Sequence, residues 1–159
     1  MITNYIISLL LLIQPLVAEV VINEYSASNL SWYTDNYQME EDWIELYNTG
    51  SIDENIGGYF LSDDSDEPAK WMIPGGTVIP ADGYIEFWCS GRDEYSDNNY
   101  HTNFKLKQTK NNPDHVVFSD PYGNIIEDFE IQKTQLNHSM GRSPNGSEIW
   151  GIFGHPTKG

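Results

Sequence analysis

An antiparallel all-β sandwich is the fold class this sequence predicts, and three observations carry it. Apolar residues recur at every second position in many short segments. Turn-forming Gly, Pro, Asn and Asp clusters separate those segments. No stretch beyond residue 18 sustains the 3.6-residue period of a helix. In Asp42-Trp43-Ile44-Glu45-Leu46-Tyr47-Asn48-Thr49-Gly50 these signals combine, because Ile44 and Leu46 alternate with Trp43, Glu45 and Tyr47 and then meet Asn-Thr-Gly.

Taken in order, the predicted strands are Val20 to Tyr25, Trp43 to Asn48, Tyr59 to Ser62, Lys70 to Ile73, Tyr84 to Ser90, Asn103 to Leu106, His115 to Ser119 and Asn124 to Ile131, with a last one near Ile149 to Phe153. Turns are expected at Asn48-Thr49-Gly50, Gly57-Gly58, Pro80-Ala81-Asp82-Gly83, Asn111-Asn112-Pro113-Asp114, Asp120-Pro121-Tyr122-Gly123 and Pro144-Asn145-Gly146. If each strand crosses the sandwich once, every second connection shares an end. Loops 26–42, 63–69 and 91–102 then lie together, and turns 49–58 and 74–83 lie opposite.

The order of these motifs resembles the lamin tail domain, an immunoglobulin-like β-sandwich. The resemblance rests on Ile22-Asn23-Glu24, the Trp43 to Gly50 segment, Gly57-Gly58-Tyr59-Phe60-Leu61-Ser62-Asp63-Asp64 and Trp71 through Tyr84, and continues to Ser139-Met140-Gly141-Arg142. It spans roughly residues 20 to 157, as expected of one domain. Relatives close with a short Pro/Gly segment ending in Pro-Asn, whereas this sequence reads Pro156-Thr157-Lys158-Gly159. A natural end beyond Gly159 is the resulting expectation. In secreted bacterial and archaeal proteins the family looks like a non-catalytic accessory unit, often joined to hydrolases or nucleases. The resemblance therefore implies a binding or tethering module and no enzyme.

Residues 1–18 carry no charged side chain and contain the apolar run Ile6 to Ile13, followed by Pro15-Leu16-Val17-Ala18. This pattern predicts a secretory signal peptide cleaved after Ala18, since the run is short for a membrane span. The expected organisation is thus a leader over 1–18 and one sandwich over 19–159, secreted or at the cell surface, with no transmembrane span in the mature chain. All 24 acidic and 8 basic residues follow Ala18, giving a net charge of −16. Such a field repels phosphates, so no nucleic-acid partner is expected. Cys89, the single cysteine, can form no internal disulfide and alternates with Ile85 and Phe87 as a small buried side chain would.

Two constellations could hold a ligand. The loop Asp63-Asp64-Ser65-Asp66-Glu67, joined across the shared end by Asp93 and Asp97, offers the hard oxygen donors that Ca²⁺ takes, so calcium is an optional ligand and no cofactor is required. The alternative is a solvated acidic surface, which such charge runs usually are. In the loop Ser31-Trp32-Tyr33-Thr34-Asp35-Asn36-Tyr37, Trp32, Tyr33 and Tyr37 stand among hydrogen-bonding side chains. Flat aromatic faces with polar neighbours suit a sugar ring or a protein partner. A calcium-assisted glycan-binding domain is accordingly the second reading. A small hydrolase is the third: paired carboxylates could serve a glycosidase, but no Gly-x-Ser-x-Gly elbow or zinc-type histidine spacing occurs. Three sequons begin at Asn29, Asn137 and Asn145.

Overall fold

A computed structural model describes residues 19–157 except Asp97, so the predicted leader at 1–18, and Asp97 itself, lie outside the described residues. The chain forms β1 (Val20–Ser26), β2 (Asp42–Asn48), β3 (Glu54–Asn55), β4 (Phe60–Ser62), β5 (Trp71–Met72), β6 (Val78–Ile79), β7 (Tyr84–Cys89), β8 (Glu94–Ser96), β9 (Asn99–His101), β10 (His115–Ser119), β11 (Ile125–Glu130), β12 (Ser139–Arg142) and β13 (Trp150–Phe153). A seven-stranded sheet runs β13-β12-β1-β2-β7-β9-β8, and a four-stranded sheet runs β11-β10-β4-β5. A small third sheet pairs β3 with β6. Every ladder is antiparallel except β7 with β9. The all-β, immunoglobulin-like sandwich is the observed fold.

Alternation decides the two faces of the large sheet. Ile22, Ile44, Leu46 and Phe87 point inward onto Leu61, Val116 and Phe118 of the smaller sheet, and all are buried. Burying such side chains contributes roughly 1.5–3 kcal/mol each. A bulge at Asn23 shifts the β1 register, so that Ile22 lies opposite Leu46 while Glu24 lies opposite Glu45. Past the bulge, Glu24, Glu45 and Glu86 stand in line across β1, β2 and β7 on the outer face.

Strand β12 has no alternating apolar signature, yet its four residues are buried. Gly141 explains why it fits: a Cβ there would approach Glu24 Cγ to 2.9 Å and Phe153 Cε2 to 3.0 Å. Conversely, the predicted strand over 103–106 has the right alternation, with Phe104 and Leu106 buried, but belongs to no ladder. Its neighbour Asn99–His101 took the place beside β7 instead.

Hydrogen bonds join the loops as strand alternation requires. Loop 26–42 meets segment 91–102 through Asn36 to Ser96 and Arg92 to Asp35. The indole of Trp71 donates to Asp93 at 3.0 Å, linking the 63–70 connection to the same end. At the far end Asn48 donates to the carbonyls of Ile52, Ile79 and Pro80. None of the described residues forms a helix long and apolar enough to cross a membrane.

Candidate functional site

Asp35 organises the long loop. Its buried Oδ1 accepts from the backbone N–H groups of Tyr37 and Met39 at 2.8 and 2.9 Å, and its Oδ2 pairs with Arg92 Nη1 at 2.7 Å. Gln38 takes φ of 61° inside this turn. Asn29 performs the same task upstream, donating to the carbonyls of Tyr33 and Glu41, while its own N–H donates to Asp42 Oδ1 at 2.9 Å. Burial is the main cause that pushes Asp42 up to about 6. The loop is therefore irregular but tied at many points, which fixes the side chains it displays.

The three loop aromatics do not form one platform. Trp32 is 44% exposed and lies 4.9 Å from the His155 ring, on the segment that follows β13. Tyr33 instead packs edge-on against buried Trp43, and its hydroxyl donates to the Pro156 carbonyl at 3.1 Å. Burial first, then the carboxylates Glu24, Glu86 and Glu45, raise the Tyr33 pKa. Tyr37 faces a third way, with the Arg92 guanidinium 4.6 Å over its ring and its hydroxyl donating to Glu94.

The loop next to Trp32 is tied to the β11 to β12 connection. Asn137 accepts from Leu30 N–H at 2.7 Å and donates to Ser31 Oγ at 2.9 Å, which brings Leu136 to the loop. Leu30 is 55% and Leu136 64% exposed. Leu136 comes from the β11 to β12 connection, so no local sequence signal could have placed it there. Asn29 is itself buried with its amide committed to the loop, which closes that sequon in the folded chain.

The acidic residues of the shared end meet cations from the chain itself. Lys70 Nζ lies 2.6 Å from Asp63, and Lys105 Nζ lies 2.9 Å from Glu41, which Arg92 also approaches at 3.4 Å. Asp64 caps its own turn by accepting from Asp66 N–H, and Asp93 is engaged by Trp71. A polar cleft of about 500 Å³ is lined by Asp63, Asp64, Asp66, Lys107, Asp114 and His115. Asp114 was not singled out in the sequence; burial, and then Asp63 nearby, raise its pKa. Among the described residues, no three His, Cys, Asp or Glu side chains are grouped so as to hold a metal ion.

Ser90, His101 and Asn36 make the nearest approach to a nucleophile with its base. Ser90 Oγ lies 2.9 Å from His101 Nδ1, and Nε2 lies 2.8 Å from Asn36 Oδ1. The contacts fit a neutral ring carrying its proton on Nε2, and burial lowers the His101 pKa accordingly. Both ring nitrogens are occupied and the ring is fully buried. As arranged, this is an internal tie between the loop and β9, with no face open to a substrate.

The fold and this arrangement define an immunoglobulin-like module displaying a loop-built surface. The chain belongs to the lamin tail domain family, whose model matches residues 14–133. The match stops before β12 and β13, which complete the large sheet. No curated protein matches the chain. The family is one of non-enzymatic immunoglobulin-like domains.

Proposed function

We propose that this protein is a non-catalytic binding or tethering module of the cell exterior, using the surface around Trp32 to hold an extracellular protein, and that it serves as an accessory to a larger extracellular protein or hydrolase. One observation carries the reading: Trp32, 44% exposed and 4.9 Å from the His155 ring, stands on a loop already held by Asn29, Asp35 and Asn137, with exposed Leu30 and Leu136 at the Asn137 tie. Preorganisation matters because a loop fixed before binding loses less conformational entropy on association. Tryptophan surrounded by water-excluding neighbours is also the side chain most often found to dominate interface energies. A protein partner is favoured over a glycan because Tyr33 and Tyr37 turn away from Trp32, so the loop offers a single ring and no multi-ring platform.

The test is binding of the fluorescently labelled protein to the surface of the cells that produce it, before and after protease shaving or enzymatic deglycosylation. Loss of binding on shaving with retention after deglycosylation is the expected result. Retention after shaving with loss on deglycosylation would replace the protein partner by a glycan.

A further inference from the structure

Four strands form the margins of the two larger sheets: β13 and β8 in the seven-stranded sheet, β11 and β5 in the four-stranded one. A marginal strand leaves a row of backbone N–H and C=O groups without a ladder partner, and proteins ordinarily guard that row with charge, proline, a bulge or brevity. Three of these margins are guarded. Glu94 stands in the three-residue β8, Glu127, Asp128 and Glu130 stand in β11, and β5 has two residues. The fourth, β13, reads Trp150-Gly151-Ile152-Phe153, with no charge and no proline, and pairs with β12 in unbroken register.

Register decides which groups of β13 face outward. Ser143 N–H donates to the Ile149 carbonyl at 2.9 Å just before the strand, so hydrogen-bonded pairs recur at Gly141 with Gly151 and at Ser139 with Phe153. Trp150 and Ile152 therefore turn their backbone N–H and C=O groups away from β12. None of these groups has a hydrogen-bond partner among the described residues. They repeat at about 6.8 Å, two residues of extended chain. Between them Gly151 is open, since a Cβ there would meet nothing within 4 Å. Ile152 is exposed, so a strand laid along this edge would also cover an apolar side chain.

We propose that β13 accepts an extended segment of a protein partner as an added strand of the large sheet, and that this segment carries net positive charge. The backbone selects the class of ligand, because an extended peptide presents donors and acceptors in alternation at the matching repeat. Charge then selects among peptides. A second copy of this chain would bring a further net charge of −16 to the edge, and an acidic segment would meet the same repulsion. Glu148, exposed two residues before the strand, adds to that field. Arg142, which lies opposite Trp150, does not offset it, being paired with Glu127. The assignment uses backbone groups of β13 and none of the Trp32 surface, so neither depends on the other.

The test is a nuclear magnetic resonance titration of the protein at roughly physiological ionic strength, where long-range attraction is screened. Its probes are acetyl-Lys-Thr-Val-Thr-Val-Lys-amide, the same peptide methylated at its four central amide nitrogens, and the version with both lysines replaced by glutamate. The lysine peptide is expected to give saturable shifts at the backbone N–H groups of Trp150 and Ile152, and the methylated peptide none. The glutamate peptide should bind at least about threefold more weakly, the scale of one exposed ion pair. Ile152→Pro removes one outward N–H and no bond to β12, so it should weaken binding about two- to tenfold beyond Ile152→Ala, the scale of one hydrogen bond. The methylated peptide decides on the wild-type chain even where Ile152→Pro loses its fold. Absence of saturable shifts at Trp150 and Ile152, equal binding by the methylated or the glutamate peptide, or equal effects of Ile152→Pro and Ile152→Ala would each overturn the proposal. Shifts at the same two N–H groups that grow with protein concentration before any peptide is added would also overturn it, assigning the edge to a second copy.

Discussion

Replacing Asp42 by Asn should stabilise the protein at neutral pH and give no gain in acid. Asp42 begins β2, and its Oδ1 accepts the Asn29 N–H that anchors the long loop. Burial holds its pKa at about 6, against an ordinary value of 3.8. Because the folded form binds the proton more tightly than the unfolded form, ionised Asp42 opposes folding above pH 6. That penalty fades as pH falls from 6 toward 4 and is gone below the unfolded value. The difference of about two units corresponds to about 3 kcal/mol. Asparagine keeps the accepting oxygen and removes the charge, but its new N–H₂ group loses about 1–2 kcal/mol where it finds no acceptor. The net gain at pH 7.5 is therefore about 1–3 kcal/mol. Urea unfolding reads it as a midpoint rise of about 0.5–1.5 M, taking a slope of roughly 2 kcal/mol/M; near pH 4 that rise should be gone, with the variant's midpoint at or below that of wild type by whatever its added N–H₂ group loses. A variant less stable than wild type by the same amount at both pH values would refute the reasoning.

Other perturbations test other parts of the account. Arg142→Ala should cost about 3–5 kcal/mol at pH 7.5, because it leaves the largely buried carboxylate of Glu127 unpaired. Since burial already raises the Glu127 pKa, the deficit should shrink on acidification, which paired urea curves would show. Cys89→Ser should cost about 1–3 kcal/mol through a buried hydroxyl, and wild-type Cys89, fully buried with its thiol pKa pushed well up by burial, should resist a thiol reagent until the chain unfolds. Millimolar Ca²⁺ is expected to leave the melting temperature unchanged, since Lys70, Arg92 and Lys105 already lie against the acidic loops. A rise abolished by changing Asp64 and Asp66 to Asn would instead establish a calcium site. No salt-sensitive complex with duplex DNA should form at physiological ionic strength, as gel-shift titration would reveal.

The fold was legible wherever burial on one face imposed alternation. Ile44 with Leu46, and Val116 with Phe118, announced β2 and β10 because half-buried strands require that period. Strand β12 was hidden because its reason is tertiary: Gly141 is present for the space that Glu24 and Phe153 leave it, not for any β preference. The segment 103–106 shows the opposite failure, since Phe104 and Leu106 alternate to fill the core without a ladder partner. At the site, the sequence pointed to Trp32 and correctly gathered loops 26–42 and 91–102. It could not separate Trp32 from Tyr33 and Tyr37, whose directions are set by Trp43 and Arg92 from distant positions. Leu136 was invisible for the same reason, being delivered by Asn137 across 106 residues of chain.

The central claim is that the Trp32 surface does the binding. Binding curves to producing-cell surfaces would compare wild type with Trp32→Ala, Leu136→Ala and Tyr122→Ala, the last being a 90% exposed aromatic on the β10 to β11 turn. Truncating an interface tryptophan of this kind costs about 2 kcal/mol or more. The account therefore predicts at least about a tenfold loss of affinity for Trp32→Ala, a smaller loss for Leu136→Ala, and none for Tyr122→Ala. Undiminished binding by Trp32→Ala, or equal losses from Trp32→Ala and Tyr122→Ala, would contradict it.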